Sequence, residues 1–156
     1  LYLNAKNYRK ALYFVNKALE IDNENFRYWK RYATINRALN FFEEAEMGYR
    51  KAVEYGDDEL DTWIYWVDVL QFLGEFENCV DALLQAKEFY PEAPEILYRL
   101  AGLYLSFDEE EVGLELLEGA LERDAEMITL FTDYYPTACT NKRVRKLIAK
   151  YTKTDL

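Results

Sequence analysis

The side chains here that could do chemistry are carboxylates and two thiols, and neither kind sits in a catalytic pattern. The carboxylates cluster as Asp57-Asp58-Glu59 and Glu109-Glu110-Glu111. Such clusters could hold a cation, but calcium loops space their ligands around a glycine turn, and none surrounds these two triplets. Both fall near expected helix starts, where negative charge is favoured by the helix dipole. Cys79 and Cys139 lie 60 positions apart with no CxxC pair, which supports no zinc cage or redox motif and implies no disulfide framework. Cys79 suits a small packing slot; Cys139 falls in a turn with nothing nearby to make it a nucleophile. Histidine is absent, removing the commonest general base and metal ligand. No GxGxxG, P-loop or HExxH signature occurs. The reading is a non-enzymatic chain with no cofactor and no metal.

The elements that carry these residues are helical. Of 156 residues 51% are hydrophobic and 17% aromatic, with only 6 Gly and 3 Pro. Few breakers and many large side chains predict long helices packed on one another. The net charge is −10, which disfavours nucleic acid as a partner. The charge is uneven: from Thr140 onward six basic residues face one acidic, leaving −15 on the preceding 139 residues. This basic end is expected to be a solvated helix face compensating acidic neighbours. No apolar run reaches membrane-spanning length, so no membrane insertion is expected. Leu1 is not a natural start, so upstream residues are expected, with any targeting segment among them. The compartment stays open: soluble, cytoplasmic or periplasmic.

Shifting the sequence by 34 aligns Ala18, Ala52, Ala86 and Ala120. Seven residues earlier stand Ala11, Ala45, Cys79 and Gly113, all small. Trp29 and Trp63 align and are continued by Leu97 and Phe131; Tyr8, Phe42 and Phe76 form an aromatic column. A period of this length marks a helical repeat. Each unit reads as two helices. The first carries large residues at i, i+3, i+4 and i+7, as in Trp63, Trp66, Val67 and Leu70. The second pairs a small residue with a large one four places on: Ala45/Tyr49, Cys79/Leu83 and Gly113/Leu117. Gly74 suits the turn between helices, and Pro91 and Pro94 mark a break between units.

These residues resemble the tetratricopeptide repeat family, whose pattern is W-x2-L-G-x2-Y…A-x3-F…P. Trp29-x2-Tyr32-Ala33, Trp63-x2-Trp66-Val67 and Leu97-x2-Leu100-Ala101-x2-Tyr104 stand for the first part, with Asn36 and Leu70 departing from the final Tyr. The resemblance implies an all-α fold: a right-handed solenoid of antiparallel helix pairs with a C-terminal capping helix. In that register 1–25 is a partial first repeat, in which Leu1 to Asn4 end a first helix. Full repeats cover 26–59, 60–93 and 94–127. Residues 128–139 give a partial helix stopped by Pro136, and 140–152 the cap, with Val144, Leu147, Ile148 and Tyr151 on one face.

The resemblance also implies a binding groove lined by the second, fifth, ninth and twelfth places of each unit. These are Arg27, Lys30, Thr34 and Arg37; then Asp61, Ile64, Asp68 and Gln71, with Phe72 flanking; then Glu95, Tyr98, Gly102 and Leu105. Leu3 and Asn4 would close one end. The lining runs from basic through acidic to apolar, which suits a protein or peptide segment with an acidic residue near one end and an apolar anchor further on. The carboxylate-clamp subclass is disfavoured, since Thr34 takes its Asn place. The expected function is a protein-binding scaffold. One alternative is a half-a-tetratricopeptide scaffold of an RNA-processing complex, which Asn36 and Glu46 argue against. The other is self-assembly, a homo-oligomer through the truncated N-terminal edge.

Overall fold

The structure, a computed structural model, describes residues 5–153. The expectations for Leu1 to Asn4 lie outside the described residues. Among those residues every regular element is helical: α1 (Ala5–Ile21), α2 (Phe26–Ala38), α3 (Phe42–Glu54), α4 (Leu60–Phe72), α5 (Phe76–Phe89), α6 (Pro94–Ser106), α7 (Glu110–Arg123), a short α8 (Thr129–Thr132) and α9 (Lys142–Thr152). The chain divides into two compact units, 1–82 and 83–156, the division falling inside α5.

In the first unit α1 packs on α2, α2 on α3 and α3 on α4. The small columns explain how closely. Ala33, Ala45 and Ala52 are wholly buried, and a Cβ on Gly48 would stand 2.8 Å from that of Ala33. Helix backbones approach this closely only where neither side carries bulk. Tyr49 fills the adjoining space and is fully enclosed, as are Trp63 and Val67 on α4. Cys79 is buried, its thiol 3.7 Å from the Val67 carbonyl, which makes it a packing residue.

The turn from each first helix to its partner is the same device three times. Asn40, Gly74 and Asp108 stand 34 residues apart and all have positive φ, 63°, 76° and 61°. The next residue's N–H reaches back five places: Phe41 to Asn36 at 2.8 Å, Glu75 to Leu70 and Glu109 to Tyr104, both at 2.9 Å. This is the Schellman closure, which satisfies carbonyls at a helix end and turns the chain sharply. Glycine is the cheapest residue for that backbone, with Asn and Asp next.

In the second unit α6 packs on α7 and α8, and α7 on α9. Leu117, Ala120, Phe131, Val144 and Ile148 form its dry centre. The partial helix expected at 128–139 contracts to a 3-10 turn, Ala125–Ile128, and the single turn of α8. Tyr135, just before Pro136, is buried, its ring resting where a Cβ on Gly102 would stand.

Candidate functional site

The expected lining residues of the first unit sit on α2 and α4, and Lys30, Thr34 and Asp61 among them are already engaged with one another. Asn25 caps α2, accepting from the Arg27 N–H at 3.1 Å, and so sets where that helix's face begins. Lys30 donates from Nζ to Glu59 at 2.8 Å and to Asp61 at 3.0 Å. Burial alone would lower the pKa of this ammonium; its hydrogen bonds to Glu59 and Asp61, with the nearby Asp57 charge, outweigh it and raise the pKa. Basic and acidic parts of the lining are thus each other's partners on the first-helix faces. Glu59 is held where it can reach because Asp57, buried at the start of α4, accepts from the Glu59 N–H at 3.1 Å and the Thr62 hydroxyl at 2.9 Å. The triplet Asp57-Asp58-Glu59 therefore shapes a helix start and pairs with a lysine.

Next along α2, Thr34 donates to the Lys30 carbonyl at 2.9 Å and its hydroxyl lies 3.2 Å from that of Tyr49. The Arg37 guanidinium lies over the Tyr65 ring at 4.1 Å and within 5.8 Å of the Tyr49 ring. Tyr49 and Tyr65 are 6.2 Å apart, centroid to centroid. Burial raises the Tyr49 phenol pKa, only partly offset by the Thr34 hydrogen bond. A guanidinium held over a tyrosine ring makes a firm platform, since each restricts the other's rotamers. Tyr65 and Ile64 are half-buried, as are Asp68 and Gln71. Arg27 is exposed, its guanidinium 5.1 Å from the Phe26 ring. Phe72, at the last turn of α4, is 69% exposed and stacks on Phe42 at 4.0 Å.

In the second unit the expectation needs correcting. Tyr98 is fully buried, its hydroxyl donating to the Asp124 carbonyl at 2.7 Å. Burial, with the Asp124 charge, pushes its pKa up to about 12. It ties α6 to the end of α7 and is not an exposed anchor. Leu105 is half-buried and leans over Gly113 of α7, its Cγ 2.6 Å from where a Cβ there would be. Gly102 is covered by Tyr135. The apolar third of the expected lining is therefore filled by the chain's own side chains; Glu95 remains half-exposed. The sequence reading missed Tyr49 and Tyr65 as partners of Arg37. Tyr65 follows Ile64 and falls outside the positions counted as lining, so its only signal was an aromatic one residue off an expected face.

The basic residues of α9 are matched by acids of α7. Arg143 donates to Glu111 at 2.6 Å, Lys150 to Glu118 at 3.2 Å, and Asn141 to Glu110 at 2.8 Å. The Tyr151 hydroxyl donates to Glu118 at 2.9 Å and Glu122 at 3.2 Å. An open cleft of about 630 Å³ lies between these helices over Leu114 and Leu147. Among the described residues no group of three or more Cys, Asp or Glu is placed to hold a metal ion, and no helix is long and apolar enough to cross a membrane.

No family model matches the chain. Over 106 residues, 68% of this chain and 6% of the relative's length, it is 27% identical to Tetratricopeptide repeat protein 37 of Xenopus laevis. It therefore spans a small part of that protein. Among solved structures, MamA matches with a TM-score of 0.76 at 18% identity, over 98% of this chain and 93% of that one. YrrB, described as "a TPR protein with an unusual peptide-binding site", matches with a TM-score of 0.73 at 18% identity, over 95% and 78%. A thermophilic TPR protein of Thermus thermophilus gives 0.60 at 14% identity, over 96% and 86%. The 34-residue register, the helix pairs and these likenesses define the class: the chain is an all-α solenoid with the tetratricopeptide-repeat fold.

Proposed function

We propose that the chain is a non-catalytic protein-binding scaffold that takes a peptide or protein segment on the α2 and α4 faces of its first unit. The observation that carries this is the Arg37–Tyr65 platform, guanidinium on ring at 4.1 Å and half-exposed. Arg and Tyr are the residue types that dominate binding energy, most of all when held rigid before the partner arrives. Thr34, Asp68 and Gln71 offer polar groups on either side, and Ile64 an apolar one. The peptide-binding site ascribed to YrrB, a protein of like fold, supports the same reading. The partner's chemistry differs from the sequence expectation. Lys30 is already paired, so recognition centres on a flat or apolar group laid on the platform, with an acidic group towards Arg27.

Peptides selected from a displayed random library against the whole chain test this. They are expected to lose roughly tenfold or more in affinity with Arg37→Ala/Tyr65→Ala, thermal unfolding serving to show that the variant folds. Full affinity of every selected peptide for that variant overturns the reading.

A second association is proposed at α1. Ala11 and Ala18 are only half-buried although their counterparts Ala45 and Ala52 are wholly buried, and Tyr13, Phe14 and Ile21 are exposed, Ile21 by 88%. An apolar face of this kind favours pairing of two chains. Light scattering is expected to show a dimer that Phe14→Ser/Ile21→Ser returns to monomer; a monomeric wild type disposes of the idea.

A further inference from the structure

A second surface of the first unit lies at the helix turns. Phe41 ends the α2–α3 turn and Phe42 opens α3; Phe72 closes α4 and Phe76 opens α5. The 4.0 Å stack of Phe42 on Phe72 brings these two turns side by side. Phe41 is 45% exposed and Phe76 44%. Three exposed phenylalanines, with a fourth stacked on one of them, lie on two adjoining turns, apolar exposure of the kind that marks an interaction site.

The charges at the two helix starts have one sign, and the base nearest in the chain, Arg37 in the last turn of α2, lies over the Tyr65 ring. Glu43 and Glu44 lie in the first turn of α3, Glu77 in that of α5, and Glu75 just before it, all exposed. The helix dipole favours acids at those places, but it does not account for the lack of any compensating base. Neither 38–49 nor 52–86 contains a single Lys or Arg. The surface thus carries phenylalanines beside two acidic helix starts.

We infer that this patch docks a basic amphipathic segment of another protein, a helix with an apolar stripe set against the phenylalanines and Lys or Arg along its edges. Charge complementarity selects that occupant. An anionic lipid surface would be repelled by the glutamates. A second copy of this chain offers one rival segment, α1, whose Lys6, Arg9, Lys10 and Lys17 accompany the exposed Tyr13 and Phe14; a dimer of the wild type that Phe41→Ser/Phe76→Ser returns to monomer overturns the inference in favour of that occupant. The patch is separate from the Arg37–Tyr65 platform and does not depend on it. Phe72, which the sequence reading set at the flank of the groove lining, is left unchanged in the test.

The probe is a synthetic Leu/Lys peptide of about 18 residues with leucines on one helical face, compared with a scrambled peptide of the same composition. Binding to the whole chain is followed by fluorescence anisotropy at several salt concentrations. The amphipathic peptide is expected to bind more tightly than the scrambled one. Phe41→Ser/Phe76→Ser, which leaves the charge untouched, is expected to weaken it roughly tenfold. The reversal Glu43→Lys/Glu44→Lys/Glu75→Lys/Glu77→Lys is expected to weaken it further. Reversing four exposed acids outside the two turns (Glu24, Glu88, Glu126 and Asp133) is expected to change it by about twofold or less, as screening between distant charges requires. Equal loss from the two reversals, or no loss from the phenylalanine variant, overturns the inference: the attraction is then that of an acidic protein in general. Flotation of the wild type with phosphatidylcholine vesicles, abolished by the phenylalanine variant, also overturns it in favour of a membrane.

Discussion

At the scale of single residues, the three positive-φ turns differ in one atom group and should differ in stability. Gly74 pays nothing for its backbone, whereas Asp108 holds a Cβ in the same conformation. Asp108→Gly is expected to stabilise the chain by up to about 1 kcal/mol and Gly74→Ala to destabilise it by about as much, both read by urea denaturation. Beyond its chain neighbours, no described atom lies within 4 Å of a Cβ at position 74, so that cost would be conformational and not a clash with the rest of the fold. Gly102 is the opposite case, since its added methyl would strike the Tyr135 ring. Gly102→Ala is expected to cost about 1–3 kcal/mol, seen as a lower Tm. Tyr98→Phe strips the donor from the Asp124 carbonyl and should cost about 1 kcal/mol. With the phenol raised to about 12 from 10, that residue's contribution is whole below pH 10 and fades as the pH rises through the folded value.

At the scale of elements, α9 is the clearest case. Its own chain caps it: Asn141 Oδ1 accepts from the N–H groups of Arg143 at 2.8 Å and Val144 at 3.3 Å. Asn141→Ala is expected to cost about 1 kcal/mol and to raise amide exchange selectively in α9. Its charges set a pH window. The Tyr151 hydroxyl and Lys150 hold the Glu118 carboxyl below its usual 4.5, and Arg143 does the same for Glu111. These contacts are present above about pH 4.5 and are lost as acid protonates the carboxyls through their depressed pKa values. The Tyr151 phenol is raised by Glu118, so its share is lost above pH 10 instead. Exchange in α9 against pH should show both edges, and a flat profile would mean the apolar face alone holds the helix.

Most of this element level was legible in the sequence. The 34-residue step placed α2 to α7 through Trp63, Ala52 and Cys79, whose sizes are dictated by packing. Gly74 declared its turn because glycine is unambiguous. Asn40 and Asp108 occupy the same place and passed unread, though the period alone pointed to them. What the sequence withheld was the occupancy of surfaces. That Tyr135 lies over Gly102, or Glu59 within reach of Lys30, depends on where a neighbouring segment sends its side chain, and no count of spacing carries that information. For the same reason α8 was expected to be longer than its four residues: Pro136 was visible, but not the 3-10 turn that begins at Ala125.

At the scale of the whole molecule, the charge of −10 sets the terms of association. Cationic partners should arrive faster at low salt, and on-rates should fall steeply as ionic strength approaches and passes 0.15 M, where the Debye length is about 8 Å. Stopped-flow measurements with a Lys-rich peptide would check this. An on-rate indifferent to salt would place control in docking geometry. The side chain of Lys30 adds a selective consequence. A carboxylate offered by a visiting ligand meets an ammonium that already holds two, so entry is an exchange of like for like with little net gain. A lone acid in a ligand would thus go unrewarded there, and discrimination passes to whatever else the visitor brings. Replacing both Glu59 and Asp61 by their amides would remove the incumbents and turn an indifferent position into a greedy one, broadening the range of acidic sequences retained.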